Sequence, residues 1–252
     1  MIDEFNHSPS EFTLNIVFLV DTSASMDGHK IDELNYFMTE AVNLVEETAR
    51  KMEIRIPIRV IEFNSEAEWL FGNAENGVEH IDWIPLQANT CGYTNTSAAI
   101  DLVRSIMHRR ILGERNLRPT VVLVSDGLGT DPQKTMEAIE RLKCSLSTPV
   151  NPKKDKVMRI SVCVDGANED ELIAFSSSGI EPVSIIGGYY TIKDDLTYYG
   201  SLILRTGELG LFGRLLKSCC SHPEAVPAWQ EEYGDPAIAV ISGDDDDDDW
   251  EE

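Results

Sequence analysis

The chain has 252 residues, 42% of them hydrophobic, which is enough apolar material for one domain with a sizeable core. Its formal net charge of −23 argues against binding to nucleic acids or anionic membranes, since both need a basic surface. No apolar run approaches the roughly 18–20 residues of a membrane helix, and the acidic N-terminus lacks the layout of a signal peptide. With five cysteines at no metal-site spacing, these features predict a cytoplasmic protein with reduced thiols.

The predicted elements alternate between strands and helices along the chain. Strands are predicted over 14–20, 56–63, 67–71, 78–83, 120–124, 156–164 and 182–186, and helices over 31–52, 97–111, 131–144, 169–176 and 194–216. The strand 67–71 is expected to form a hairpin with the strand before it. This alternation predicts an α/β fold with a doubly wound, mostly parallel sheet, helices on both faces and one antiparallel edge strand.

Composition divides the chain into a flexible N-terminus (1–11), a folded domain (12–217) and an acidic, disordered tail (218–252). The tail carries twelve acids and no Lys or Arg, so about half of the net charge belongs to it. Six consecutive aspartates are typical of a solvated tail. Trp250, which follows them, is the kind of residue that anchors a partner, so docking through the tail stays open.

The first predicted strand ends abruptly in polar residues. Its all-apolar run, 16–20, is typical of a buried parallel strand, and Asp21, Ser23 and Ser25 follow it. Parallel sheets bind ligands just outside the carboxyl ends of their strands. One acid and two hydroxyls, without His or Cys, suit a hard cation such as Mg²⁺ rather than zinc or copper.

Two further segments are predicted to supply oxygen atoms to the same edge. The strand 120–124 is followed by Asp126, and neighbouring parallel strands deliver such residues to one rim. Between the two strands lies a loop with Gly92 and Thr94; Thr96 is the alternative to Thr94. Two carboxylates and three hydroxyls can hold Mg²⁺, with Mn²⁺ as the alternative ion, and leave positions open to water or an outside carboxylate.

Three motifs resemble those of the von Willebrand factor A (vWA) family. Asp21-Thr22-Ser23-Ala24-Ser25 matches the DxSxS motif, Gly92-Tyr93-Thr94 is similar to the threonine loop, and Val124-Ser125-Asp126-Gly127 is similar to the second-aspartate loop. The resemblance covers about residues 12–217 and implies a metal-ion-dependent adhesion site (MIDAS), in which Mg²⁺ bridges to an Asp or Glu of a partner protein. The implied ligands are Asp21, Ser23 and Ser25 directly, and Thr94 and Asp126 directly or through water.

Within the family, the segment 17–28 is most similar to the TerY-type bacterial proteins of tellurium-resistance and stress gene clusters. That resemblance implies an intracellular, non-catalytic binding module whose partner is a kinase or phosphatase encoded nearby. Asn89-Thr90-Cys91, ahead of Gly92, departs from the small apolar residues expected in that subfamily.

The main alternative is an Mg²⁺-dependent phosphohydrolase that uses Asp21. A phosphatase of the haloacid dehalogenase type needs a second acid at i+2 for proton transfer, and Ser23 stands there instead. No His lies at a spacing that would activate Ser23 or Ser25 as a nucleophile. The sequence therefore predicts that the protein is not an enzyme.

Other interpretations need no metal ligation or use the tail. Asp21 could be a turn acid, with Ser23 and Ser25 capping the helix that follows. Asp131, ahead of Pro132, is predicted to be a helix N-cap rather than a ligand. A tail aspartate could occupy the open Mg²⁺ position, within the chain or from a second copy.

Overall fold

The computed structural model describes residues 12–113, 116–146, 156–164, 166–178 and 182–184. Several predictions lie outside the described residues: the N-terminus 1–11, the end of the strand 182–186, the helices within 194–216, the domain boundary at 217, and the tail 218–252 with Trp250.

Strands and helices alternate along the described part of the chain. The strands are β1 (Ile16–Asp21), β2 (Ile58–Phe63), β3 (Ala67–Phe71), β4 (Thr120–Ser125), β5 (Met158–Cys163) and β6 (Val183–Ser184). The helices are α1 (His29–Met52), α2 (Thr96–Ile106), α3 (Arg109–Leu112), α4 (Pro132–Lys143) and α5 (Glu169–Phe175), and a 3₁₀ turn, Ala24–Met26, connects β1 to α1.

These strands form one sheet in the order β3-β2-β1-β4-β5-β6. β1 is parallel to β2 and β4, β5 is parallel to β4 and β6, and β3 forms the predicted antiparallel hairpin with β2. Val20 pairs with Val124, so Asp21 at the end of β1 lies beside Ser125 at the end of β4. The prediction of a mostly parallel sheet with one antiparallel edge strand is confirmed.

Both faces of β1 are buried because helices cover the sheet on each side. Phe18 and Val20 contribute to a core shared with α1, while Val17 and Leu19 contribute to a second core shared with α2, α4 and α5. A strand with two buried faces has to be apolar at every position, which explains the uninterrupted run before Asp21. The buried apolar residues of α1 recur at helical spacing and include Leu34, Met38, Ala41 and Val45.

The longest of the described helices, α1, has 24 residues and exposes the charged residues Glu47, Arg50 and Lys51 near its end. Among the described residues, no helix has the length and apolar character that crossing a membrane requires.

The predicted strand 78–83 was wrong. Within it Val78 alone pairs, through two backbone hydrogen bonds with Ile58. Further along, the indole N–H of Trp83 donates to Oδ1 of Asn35 on α1, at 3.2 Å. Contacts with a helix therefore replace the strand pairing that the β-branched residues suggested.

The predicted helix 97–111 is divided into α2 and α3. His108 has extended backbone angles (φ −130°, ψ 141°) and interrupts the helix. Met107 is buried in the second core, and the carbonyl of Leu112 at the end of α3 accepts from the side chain of Asn15 at 3.2 Å. Tertiary contacts thus break a helix that the hydrophobic pattern continued.

Two arginines are buried at the edge where the parallel strands begin. Arg59, near the start of β2, donates to the carbonyls of Asn73 (2.9 Å) and Glu75 (3.3 Å) and to Oδ1 of Asn15 (2.9 Å). Burial lowers the pKa of Arg59 from its ordinary value. Arg159, near the start of β5, donates to two backbone carbonyls at 2.9 and 3.1 Å.

Candidate metal centre at the carboxyl edge of the sheet

Asp21 lies at the end of β1 with its carboxylate fully buried. Oδ1 accepts the backbone N–H of Ser23 at 2.9 Å, and Oδ2 accepts the hydroxyl of Ser125 at 2.6 Å. Within the described residues, no Lys, Arg or His forms an ion pair with this carboxylate. The hydrogen-bond donors that hold Asp21 in the described part of the chain are therefore neutral.

The environment of Asp21 raises its pKa to about 6. The main cause is burial, which disfavours the charged form, and the negative charge of Asp126 adds to it. The hydrogen bonds from Ser125 and Ser23 act in the opposite direction without cancelling the effect of burial. A raised pKa in a buried carboxylate indicates a site in which negative charge is not fully compensated by the protein.

Ser23 and Ser25 follow Asp21 on the loop into α1. Their hydroxyl oxygens lie 3.2 Å apart, close enough for both to contact one ligand. Ser23 is the N-cap of the 3₁₀ turn but makes no side-chain capping bond, and the N-cap of α1 is Gly28. The interpretation of these two hydroxyls as helix caps is therefore wrong.

Asp126 lies in the turn that follows β4, and its carboxylate is also fully buried. Oδ1 accepts the backbone N–H of Leu128 at 3.1 Å, and Oδ2 accepts from Nζ of Lys30 at 2.8 Å. The turn requires glycine at Gly127, which has φ +68° and where a Cβ would lie 2.4 Å from the carbonyl oxygen of Asn168.

The loop that carries Thr94 is attached to both carboxylate-bearing segments. The backbone N–H of Ala24, in the first segment, donates to the carbonyl of Gly92 at 3.3 Å. Thr94 is buried; its N–H donates to the Thr130 hydroxyl and its carbonyl accepts from the Thr130 N–H, each at 3.0 Å. Thr96, the alternative, is also buried at the start of α2. Ligation by either threonine stays a prediction.

Three further residues lie near the predicted ligands and were not predicted as part of the site, although Ser125 belongs to one of the three motifs. The position of Ser125 could have been predicted from the strand register, because it is the neighbour of Asp21 in the sheet. Lys30 has no sequence signal, since it meets Asp126 across 96 positions of the chain. Glu171 on α5 accepts the N–H of Gly129 at 3.2 Å, and burial followed by the charge of Asp126 raises its pKa.

Asp131 is the N-cap of α4, as predicted. Its Oδ1 accepts the backbone N–H of Lys134 at 3.0 Å, and this hydrogen bond lowers its pKa. Asp27, the other nearby acid, is exposed after the 3₁₀ turn.

The rim of the site combines apolar and hydroxyl groups. The side chains of Tyr93 and Leu128 are 71% and 48% exposed, one on the threonine loop and the other just after Asp126. A groove of about 300 Å³ beside Thr94 is lined by hydroxyl-bearing residues, among them Thr130 and Ser65.

The oxygen atoms at this edge suit a hard cation as ligands. They are two carboxylates and neighbouring hydroxyls, and hard cations such as Mg²⁺ prefer oxygen ligands. Among the described residues, no group of three or more His, Cys, Asp and Glu side chains could hold a metal ion. A thiolate or imidazole site of the zinc type is thus not formed within those residues.

The domain model named von Willebrand factor type A domain matches residues 15–194. One similar solved structure is proximal thread matrix protein 1 from the mussel byssus with a zinc-occupied MIDAS motif (18% identity, TM-score 0.49, covering 66% of this chain and 42% of that one). Another is the ArnB paralog VWA2 from Sulfolobus acidocaldarius (23% identity, TM-score 0.43, covering 75% and 44%). The chain spans less than half the length of these two proteins.

No curated protein sequence matches the chain. The domain model, however, spans more than half of it and includes β1, β4 and the three loops around Asp21. The protein therefore belongs to the von Willebrand factor type A domain family.

Proposed function

We propose that this domain is a non-catalytic binding module that captures an acidic residue of a partner protein through Mg²⁺. Domains of this family typically mediate protein interactions. Asp21, Ser23 and Ser25 would hold the ion directly, and Thr94 and Asp126 directly or through water, with Mn²⁺ as the alternative.

The observation that carries the proposal is the carboxylate of Asp21. It is fully buried, its pKa is raised to about 6, and its hydrogen-bond donors are neutral. Burying a charge without a counterion is costly, so a cation at this position would stabilise the folded domain. The paired hydroxyls of Ser23 and Ser25 offer further oxygen ligands for it.

An acidic partner follows from the ligand count and from the charge of the chain. Five protein oxygens leave at least one of the about six positions around Mg²⁺ unfilled. Bound Mg²⁺ supplies a Lewis acid at that position, which favours a carboxylate oxygen. The formal charge of −23 would otherwise repel an acidic partner, so recognition would depend on the cation.

The rim suits a protein ligand. Tyr93 and Leu128 expose an aromatic and an aliphatic side chain on two different loops of the site. Aromatic side chains beside a desolvated charged contact are common among the residues that dominate binding energy in protein interfaces. A partner could therefore place its acidic residue at the centre and cover these two side chains around it.

The phosphohydrolase alternative is disfavoured by the same geometry. A nucleophilic Asp21 would have to approach a phosphorus atom that carries several other substituents, yet the residue is fully buried. Ser23 at i+2 cannot replace the acid that such a mechanism uses for proton transfer.

The biological setting is proposed from sequence resemblance alone. A TerY-type protein would act in the bacterial cytoplasm within a stress-response, signalling or defence gene cluster, beside a kinase or phosphatase partner.

Metal dependence is tested by calorimetric titration and thermal unfolding of the full chain with Mg²⁺, Mn²⁺ and Zn²⁺. Saturation at a hundredfold excess over Kd should stabilise the wild type by about 2–3 kcal/mol. The Ser23→Ala/Ser25→Ala pair should remove that stabilisation. Ser105→Ala, which alters an exposed hydroxyl bonded to the carbonyl of Leu102 on α2, should retain it. Equal responses of the pair and the control would contradict the proposal.

The nature of the partner is tested with peptides containing one Asp or Glu and matched Asn or Gln peptides, in Mg²⁺ and again in EDTA. Binding only of the acidic set, and only with Mg²⁺, is expected. Turnover of a generic phosphate ester with Mg²⁺, lost in Asp21→Ala, would instead support the phosphohydrolase.

A further inference from the structure

Lys30 places a positive charge inside the candidate metal centre. It lies in the first turn of α1, and its Nζ is 2.8 Å from Oδ2 of Asp126. Its side chain is 17% exposed and that of Asp126 is 0% exposed. Because Leu128 donates to Oδ1 at 3.1 Å, each oxygen of Asp126 already accepts from a protein donor.

Lys30 and a divalent cation need the same carboxylate. A cation held by Asp126, directly or through a water that donates to it, would share this carboxylate with the ammonium of Lys30, which lies 2.8 Å from Oδ2. The ammonium and the metal would also repel each other strongly, since buried charges are poorly screened. Simultaneous binding of both to Asp126 is therefore unfavourable.

The position of Lys30 on its helix allows it to leave. A cation in the first turn faces the positive end of the helix dipole, so α1 itself disfavours it there. The N-cap, Gly28, provides no side chain to offset the free amides of that turn. The flexible stem of lysine allows the ammonium to reach water once Asp126 no longer holds it.

We infer that Lys30 is a built-in competitor that neutralises Asp126 in the metal-free domain and is displaced when a divalent cation binds. The inference rests on the proposed function and adds a regulatory contact to it. While Lys30 is in place, the fraction of domains ready to bind metal is reduced, and the apparent affinity falls by the same factor. Half-saturation of the site would then need a higher cation concentration than it would without Lys30.

The wild-type protein allows a direct test by lysine acetylation and mass spectrometry at constant pH, with and without saturating Mg²⁺. Lys30 should react several times faster with Mg²⁺ present, because its ammonium becomes exposed. Lys51, at the other end of the same helix, pairs with Glu47 at 2.6 Å and is 66% exposed, so its reactivity should not change. An unchanged or reduced reactivity of Lys30 in saturating Mg²⁺ would overturn the inference.

Lys30→Met gives an independent test by calorimetric titration with Mg²⁺. It should bind Mg²⁺ about tenfold more tightly than the wild type, because the competing state is removed. Lys51→Met should bind like the wild type. An affinity of folded Lys30→Met, checked by circular dichroism, equal to or weaker than that of the wild type would contradict the inference. The acetylation of wild-type Lys30 tests the inference even if this variant does not fold.

These experiments separate the two proposals. If the wild type binds Mg²⁺ while Lys30 stays unreactive, the competitor role fails and the proposed function stands. If only Lys30→Met binds Mg²⁺, the competitor role is supported and the wild-type function fails. If neither protein binds Mg²⁺, both proposals fail.

Discussion

The two edges of the sheet bury charges of opposite sign and satisfy them to different degrees. Where the parallel strands begin, Arg59 donates to three acceptors that belong to the folded chain. Where they end, Asp21 and Asp126 are fully buried, and the ion pair found among the described residues is the one with Lys30. Arg59 and Asp21 are both contacted by neutral protein groups, but Asp21 also lies near a second buried acid, Asp126, whose negative charge raises the cost of ionising it. A bound cation would offset that cost, so the end of the strands is suited to binding a ligand.

The largest loss of stability is expected from a substitution of Arg59, at the edge where the parallel strands begin. Arg59→Met would remove a fully buried guanidinium. It would leave the side chain of Asn15 without its donor in a buried contact, and the carbonyls of Asn73 and Glu75 without theirs in partly buried ones. We expect a loss of about 4 kcal/mol in the free energy of unfolding, measured by urea denaturation in EDTA.

The matched control for this change is Arg55→Met. Arg55 forms an exposed ion pair with Glu79 at 2.7 Å, which should contribute less than about 1 kcal/mol. Similar losses in the two variants would show that the guanidinium of Arg59 is not what holds this edge together.

A substitution of Asp21, at the edge where the parallel strands end, is expected to increase the free energy of unfolding of the metal-free domain. The pKa of Asp21 in the folded state, about 6, is above its ordinary value of 3.8. The protonated carboxyl therefore favours the folded state fully below pH 3.8, and this contribution is lost as the pH rises through about 6. Asp21→Asn should stabilise the metal-free domain at neutral pH by about 3 kcal/mol and abolish metal binding.

Urea denaturation in EDTA across this pH range checks the prediction for Asp21. The wild type should lose stability relative to Asp21→Asn as the pH rises. Parallel pH profiles for the two proteins would mean that the carboxylate is already compensated in the metal-free domain.

The smallest expected effect concerns Asp131, an acid at the same edge with a different role. Asp131→Ala removes the N-cap bond to the backbone N–H of Lys134 and should cost about 1 kcal/mol. Asp131→Asn keeps a capping oxygen and should stay close to the wild type. Since Asp131 is not expected to hold metal, calorimetry should give the same Mg²⁺ affinity for both variants; weaker binding would place it in the site.

Much of this architecture was predictable because it depends on local patterns. An apolar run that ends in Asp21 marks a strand with two buried faces, and Asp131-Pro132 marks a helix start. The structure places the residues of the first motif at one edge with Asp126, although their role as metal ligands stays a prediction.

Long-range contacts account for what sequence analysis missed. Lys30 becomes part of the site through a packing geometry that no local pattern encodes. The same holds for the segment after Val78, whose hydrogen bonds go to α1 rather than to a strand. Whether Thr94 or Thr96 faces the carboxylates depends on loop register, which hydrophobic periodicity does not determine.

The strand order also has a consequence for protein synthesis. β1 lies inside the sheet and is made before the other described strands. Its neighbour β4 follows much later, since Asp21 and Ser125 are 104 residues apart. At about 5–20 residues per second, a ribosome needs roughly 5–20 s to cover that distance. During this interval one edge of β1 lacks its native neighbouring strand, and a chaperone would protect it from pairing with another chain. The candidate metal centre can assemble only after β4 and Asp126 have been made, so cation binding there would report that β4 has joined β1 in the nascent domain.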